Sequence, residues 1–324
     1  MASKNDQEVA TADLNAKVEA AQFYTVKPSE LSLRGFLASG TFADVYLAEW
    51  TRSFGVGRSS IVVAVKQLRS DLGPVYRDRE ALALLTDHPN IVKCFDSTVD
   101  PPYLIVTEYC GGGNLFDLLF NSQQDLSTRQ SVKFLTDVAS GMQYLHSRDP
   151  CIVHRDLKSS NVLIAKPLKS TMQEPLAKVA DFGLSRTSSS STSTWADASM
   201  TVGVGTWRWM APEVFDAGDL SVATTYDERA DVFSYAIVMY EVLARKMPYV
   251  EHFPIDSVDP RISMHVCAGL RPNVADVKPE FPEELALLMQ KSWDNEASGR
   301  PTFKEIEEIF IRTLDGIPIP GDDY

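Results

Sequence analysis

In the stretch Ile152-Val153-His154-Arg155-Asp156-Leu157-Lys158-Ser159-Ser160-Asn161, a carboxylate, an ammonium and an amide fall within six residues: Asp156, Lys158 and Asn161. The apolar run Val162-Leu163-Ile164 follows at once and predicts a short strand. A second carboxylate, Asp181, stands at the end of another short apolar strand, in Val179-Ala180-Asp181-Phe182-Gly183. Carboxylates can accept a proton or ligate a hard cation, an amide oxygen can ligate one, and an ammonium can stabilise anionic charge.

These two motifs, in this order, resemble the catalytic loop and metal-binding segment of a eukaryotic protein kinase. The resemblance implies phosphoryl transfer from ATP, which asks the protein mainly for positioning and charge stabilisation. Under it, Asp156 accepts the proton of a substrate hydroxyl and orients it for in-line attack. Asp181 ligates magnesium, Asn161 supplies a neutral oxygen to a second metal, and Lys158 sits against the transferring group as a point charge.

The elements that must position these groups begin after a polar, Ala-rich stretch at residues 1–25, read as a tail. Leu37-Ala38-Ser39-Gly40-Thr41-Phe42-Ala43-Asp44-Val45 sits where the Gly-rich phosphate loop of the family should be. Gly40 and Val45 match that pattern, whereas Ala38 and Ala43 replace two glycines. Alanine adds a methyl and restricts the hairpin, so a weaker nucleotide grip is expected, with Ala43→Gly lowering the KM for ATP. The strand Ile61-Val62-Val63-Ala64-Val65-Lys66 ends on a lysine that, in the kinase pattern, contacts the α- and β-phosphates. Its glutamate partner on the next helix is assigned to Glu80, with Asp78 as the alternative. Tyr103 to Cys110 reads as a buried strand running into Gly111-Gly112-Gly113 and resembles the hinge between two lobes. Backbone groups of Glu108 and Cys110 would then bond the adenine edge. Thr107 would close the back of the pocket, Val45 and Ala64 would roof the base with Leu37 and Ala38 beside them, and Leu163 would form the floor.

Beyond the hinge, Asn114 to Leu119 starts a helix capped by Asn114, and Ser127 to His146 predicts a longer one. Its stripe of Val132, Leu135, Val138, Ala139, Met142 and Leu145 recurs at helical spacing and belongs to a core. Lys166 to Ala177 is a polar insertion between two short strands. Leu184 to Thr206 corresponds to the activation segment, and its run from Ser188 to Thr194 is almost purely Ser and Thr. A phosphate added there could dock on Arg155; Thr201 is the first candidate and Ser199 the second. Gly205 to Glu213, reading GTWRWMAPE, together with Lys158-Ser159-Ser160-Asn161, resembles the tyrosine-kinase-like group that includes the Raf and mixed-lineage kinases. Lys158 with Thr206 is the Ser/Thr-kinase arrangement, so Ser/Thr specificity is expected. Asp231 to Leu243 is apolar on nearly every side and predicts a buried central helix. The resemblance makes this the central helix of the large lobe and implies that Asp231 bonds the backbone of the catalytic loop and that Arg300, in Gly299-Arg300-Pro301-Thr302, pairs with Glu213.

Composition agrees with a soluble globular chain, and 324 residues are ample for a core; length alone suggests about two domains. A formal net charge of -13 argues against general attraction to nucleic acid or anionic lipid. Cys94, Cys110, Cys151 and Cys267 show no zinc spacing and suit a reducing compartment. No stretch is apolar enough to span a bilayer, and the N-terminus has neither a signal-peptide core nor a Met-Gly start. Cytoplasm or nucleus is the expected location. The expected fold is the bilobal α+β protein-kinase fold, with an N-lobe at 26–107, a hinge at 108–113, a C-lobe at 114–314 and a tail at 315–324. ATP and Mg2+ are the expected cofactors, and protein substrates and an upstream activating kinase the expected partners. Two alternatives stay open. One is a nucleotide- or partner-binding scaffold of the pseudokinase type, suggested by the missing glycines. The other is tyrosine specificity, which Lys158 opposes.

Overall fold

A computed structural model describes residues 26–319 apart from 41–42, 55–56, 70–86, 99, 182–185, 188–205, 216–226, 255–258 and 260. Glu80, Asp78, Ser199 and Thr201 therefore lie outside the described residues. The chain forms two lobes. The first is an antiparallel sheet of β1 (Leu31–Ser39), β2 (Ala43–Phe54), β3 (Gly57–Leu68), β4 (Cys94–Ser97) and β5 (Leu104–Glu108), in the order β1-β2-β3-β5-β4. Alternating side chains divide it into two faces. Ala48, Trp50, Val63, Val65, Leu104 and Val106 bury one face together with Val26 of the lead-in. Trp50 Nε1 donates to Glu30 Oε2 at 3.2 Å, which fixes the entry of the chain. The opposite face carries the cross-strand rungs Ala38–Val45–Lys66 and Gly35–Leu47–Ala64–Thr107. It looks onto the cleft.

At the hinge, Gly112 N–H donates to Ile164 O at 2.9 Å. A Cβ on Gly112 would stand 2.7 Å from Ile164, so only glycine permits this approach of hinge to second lobe. Asn114 Oδ1 then accepts from Asp117 N–H at 2.8 Å, the expected cap, and the turn that follows widens to a π-helix over Asp117–Asn121.

The second lobe is helical: α1 (Thr128–His146), α2 (Pro212–Phe215), α3 (Glu228–Ala244), α4 (Arg261–Cys267), α5 (Glu283–Ser292) and α6 (Phe303–Asp315). α1 opens with a capping box between Ser127 and Gln130, and its predicted stripe from Val132 to Leu145 is fully buried. α3 is buried from Ala230 to Ala244, as its mostly apolar sequence requires, and it ends where Arg245 turns left-handed at φ 51°. α6 starts with a second capping box, Thr302 with Glu305. Between α1 and α2 lie β6 (Ile152–Val153), β7 (Val162–Ile164), β8 (Ala177–Val179) and β9 (Arg186–Thr187), paired β6 with β9 and β7 with β8. These short strands carry the loops on which the chemical groups stand. Among the described residues no helix is long and apolar enough to cross a membrane.

Candidate active site

The loop from β6 to β7 is pinned from below by one carboxylate. Asp231, fully buried on α3, accepts from the backbone N–H groups of His154 at 2.8 Å and Arg155 at 2.9 Å and contacts His146 Nε2 at 2.9 Å. Burial opposes its charge, but His146 and these donors hold its pKa below the usual carboxylate range. The grip compensates a real strain, because Arg155 adopts φ 70° in the left-handed region. His154 Nδ1 accepts from Asp156 N–H at 3.2 Å, which places the ring proton on Nε2, 2.9 Å from the Ala180 carbonyl it donates to. One imidazole thus ties the loop bearing Asp156 to the strand end bearing Asp181.

Asp156 itself is held by two donors. Lys158 Nζ lies 2.8 and 3.1 Å from its carboxylate oxygens, and Asn161 Nδ2 donates to Oδ2 at 3.0 Å and to the Asp156 carbonyl at 2.7 Å. Burial pushes its pKa above the ordinary value, against the pull of Lys158. Lys158 Nζ also donates to Thr206 Oγ1 at 3.1 Å, so one ammonium spans the catalytic loop and the turn before α2. Across the cleft, Lys66 Nζ meets Asp181 Oδ1 at 2.7 Å. Burial works against the charge of Asp181, yet the ammonium groups of Lys66 and Lys158 keep its carboxyl far below the usual range. Its backbone, at φ 66°, is left-handed like that of Arg155.

This donor set fits a magnesium nucleotide. Asn161 spends its amide nitrogen on Asp156, which leaves Oδ1 as an oxygen ligand, and Asp181 is kept ionised. Among the described residues no three His, Cys, Asp or Glu side chains gather to hold a metal. Mg2+ characteristically takes one or two carboxylates and completes its shell with phosphate oxygens and water, so two ligands suffice. The base would lie in an apolar slot. Val92, Cys110, Ala180 and Leu163 pack together on one side, and the rungs bearing Val45 and Ala64 lie on the other. Leu37 sits at the register shift between Phe36 and Ala38. Glu108 N–H already donates to Lys93 O at 2.9 Å, and its carbonyl accepts from Thr107 Oγ1 at 3.3 Å, so an adenine amine would use the carbonyl's second lone pair. Gly40 N–H closes the β1–β2 turn on Ala43 O at 2.8 Å.

Some contributors escape motif reading. Leu47 shares the rung of Ala64, and alternation from Val45 would have found it. Lys178 of β8 pairs with Glu108 at 2.8 Å, tying the hinge to the strand before Asp181. Elsewhere in the lobe, Arg300 donates to both oxygens of Glu213, at 2.6 and 2.8 Å.

A family model described as protein tyrosine and serine/threonine kinase matches residues 31–310. The chain belongs to this family. It is a protein kinase domain of the tyrosine-kinase-like group. It is 33% identical over 285 residues to the RGS domain-containing serine/threonine-protein kinase A of Dictyostelium discoideum, which covers 86% of this chain and 22% of that protein. It is 31% identical over 311 residues to the serine/threonine-protein kinase STY46 of Arabidopsis thaliana, covering 94% of this chain and 48% of that one. To the serine/threonine-protein kinase TNNI3K of Mus musculus it is 31% identical over 299 residues, covering 90% and 32%. The kinase domain spans less than half the length of these relatives.

Proposed function

We propose that this domain transfers the γ-phosphoryl group of magnesium-bound ATP to Ser or Thr hydroxyls of protein substrates. The observation that carries the proposal is the Asp156–Lys158–Thr206 chain. An acceptor carboxylate and an ammonium are fixed to each other at 2.8 Å, and the ammonium reaches the turn before α2 at 3.1 Å.

The bound nucleotide and metal supply the phosphoryl group and divalent charge. The chain supplies the rest. Asp156 accepts the hydroxyl proton at its carboxylate, whose direction Asn161 and Lys158 set. Lys158 lies where negative charge builds on the transferring oxygens. Lys66 and Asp181, paired with each other at 2.7 Å, would turn to the nucleotide from opposite lobes, Lys66 as cation to its phosphates and Asp181 as ligand to its metal. Cys110, Val45, Ala64, Thr107 and Leu163 exclude water from the base. Glu80 is proposed as the second partner of Lys66, the kinase domain as residues 26–314, and Thr201, then Ser199, as sites where an upstream kinase adds a phosphate that Arg155 receives.

The test is Mg-ATP phosphotransfer to a generic basic protein, with phosphoamino-acid analysis of the product and Asp181→Asn as control. Phosphoserine or phosphothreonine, absent from the control, is expected. Predominant phosphotyrosine would refute the specificity, and nucleotide binding without turnover in any phosphorylation state would favour a scaffold. Thr201→Ala should lower activity of phosphorylated enzyme while leaving unphosphorylated enzyme nearly unaffected.

A further inference from the structure

One buried carboxylate outside the phosphate and metal ligands holds two loops at once. Glu241 lies on α3 without solvent exposure. Ser159 Oγ, three residues beyond Asp156, donates to its Oε1 at 2.7 Å, and Trp209 Nε1, three residues beyond Thr206, donates to its Oε2 at 2.9 Å. α3 grips each loop a second time through main chain: Asp231 takes the His154 and Arg155 N–H groups, and Ser234 Oγ donates to Trp209 O at 2.7 Å. Glu241 differs in joining the two loops to each other through a single group. The same loops meet at the cleft through Lys158 and Thr206. They are therefore fastened on both sides, by an ammonium beside the reacting atoms and by a carboxyl in the core.

A carboxyl buried in an otherwise apolar helix is unfavourable unless both its oxygens are satisfied. Here they are, in either protonation state. The indole N–H can only donate, so Oε2 accepts; at Oε1 either the Ser159 hydroxyl donates to a carboxylate or an acid O–H donates to the hydroxyl. Burial pushes the group up to about 8, towards the neutral form near pH 7. A glutamine can reproduce that pattern, with its oxygen on Trp209 and its amide N–H on Ser159.

We propose that Glu241 is a positioning residue: through Ser159 and Trp209 it fixes Asp156 relative to the turn carrying Thr206, and so fixes where a substrate hydroxyl meets its base. The kinetic role rests on the phosphotransfer reading above; the coupling of the two loops does not.

The test uses the full chain with Ser159→Ala, Trp209→Phe, Glu241→Gln and Glu241→Ala. Ser159→Ala deletes one oxygen and one arm, and should lower kcat about five- to tenfold, as expected for one net hydrogen bond, with the KM for ATP unchanged. Glu241→Ala should lose more, and Glu241→Gln should return kcat to within about threefold of the starting protein because both bonds persist. The second readout is the Trp209 indole N–H resonance, assigned by its loss in Trp209→Phe. It should shift in Ser159→Ala, although Ser159 does not touch the indole. A stationary resonance overturns the coupling. An unchanged kcat in Ser159→Ala, or a Glu241→Gln as impaired as a folded Glu241→Ala, overturns the positioning role. If Glu241→Ala does not fold, Ser159→Ala decides. If the starting protein shows no turnover, the phosphotransfer reading and the kinetic role resting on it both fall, while the indole shift still settles the coupling.

Discussion

Lys66 Nζ stands 2.7 Å from Asp181 Oδ1, a pair 115 residues apart in the chain that bridges the two lobes across the cleft. β3 delivers the lysine at the third position from its end, on the same rung as Ala38 and Val45. The residue after Ala180 delivers the carboxylate, on a left-handed backbone. The apolar cluster proposed above to receive the base is built from other residues, Val92, Cys110, Leu163 and Ala180. Charge stabilisation and base binding are therefore separable. Lys66→Met should lower kcat by roughly a thousandfold, as loss of a phosphate-contacting cation in a preorganised site implies, while affinity for a fluorescent nucleotide changes less than tenfold. Equal collapse of binding and turnover would contradict that separation.

Arg300 and Glu213 form a bidentate pair, and the arginine side chain has no solvent exposure. Its remaining donors go to the carbonyls of Asp294, Arg229 and Asn295. Arg300→Met should destabilise the domain by about 3 kcal/mol, the low end of the penalty for breaking a buried pair because the Glu213 left behind is 30% exposed, read as a lower urea midpoint with an unchanged m-value. Arg300→Lys should recover little, because a single ammonium cannot reproduce the fork.

Local chemistry made much of this architecture legible. Asp156, Lys158, Asn161 and Asp181 are recognisable because they stand in two short motifs that match the kinase family; the phosphoryl-transfer roles given to them are the proposal made above. The contacts of Asp231 and Arg300 were supplied by the resemblance to the kinase family, and the cost of leaving a buried charge unpaired agrees with both. Two features were not legible. Ala43 reads as a lost glycine, yet the residue is 3% exposed and stands opposite Leu68 in the sheet. Ala43→Gly would thus remove packing as well as free the loop, so the expected fall in KM for ATP must be read beside a melting curve. Glu241 reads as a blemish in an apolar helix, because its partners lie 82 and 32 residues away and only folding brings them to it.

The raised pKa of Glu241 gives a signed pH dependence. Its value is about 8 in the folded chain against 4.5 for a free glutamate. Between those values the folded state holds a proton that the unfolded state has released. Stability contributed by this group therefore falls as pH rises from about 4.5 to about 8 and is flat above. Glu241→Gln cannot titrate, so its melting temperature minus that of the starting protein should climb with pH through this window and then level off. A difference independent of pH would show that Glu241 is ionised in the fold throughout.

Tyr249 makes the opposite case to Glu241. It is 1% exposed, its backbone is left-handed at φ 61°, and among the described residues its hydroxyl has no hydrogen-bond partner. Burial raises the phenol pKa well above its ordinary value, so the group stays neutral and remains a desolvated hydroxyl. The segment around it is held by other bonds: Arg208 donates to the carbonyls of Pro248, Phe253 and Pro254 at 2.6–3.0 Å. The ring is needed for packing and the oxygen is not. Tyr249→Phe should leave the fold intact and raise the unfolding free energy by about 1 kcal/mol, the lower end of the cost of a buried unsatisfied polar group. Tyr249→Ala should lose about 3–5 kcal/mol through the cavity it opens. A phenylalanine variant that unfolds at lower urea would mean that the hydroxyl does find a partner in solution.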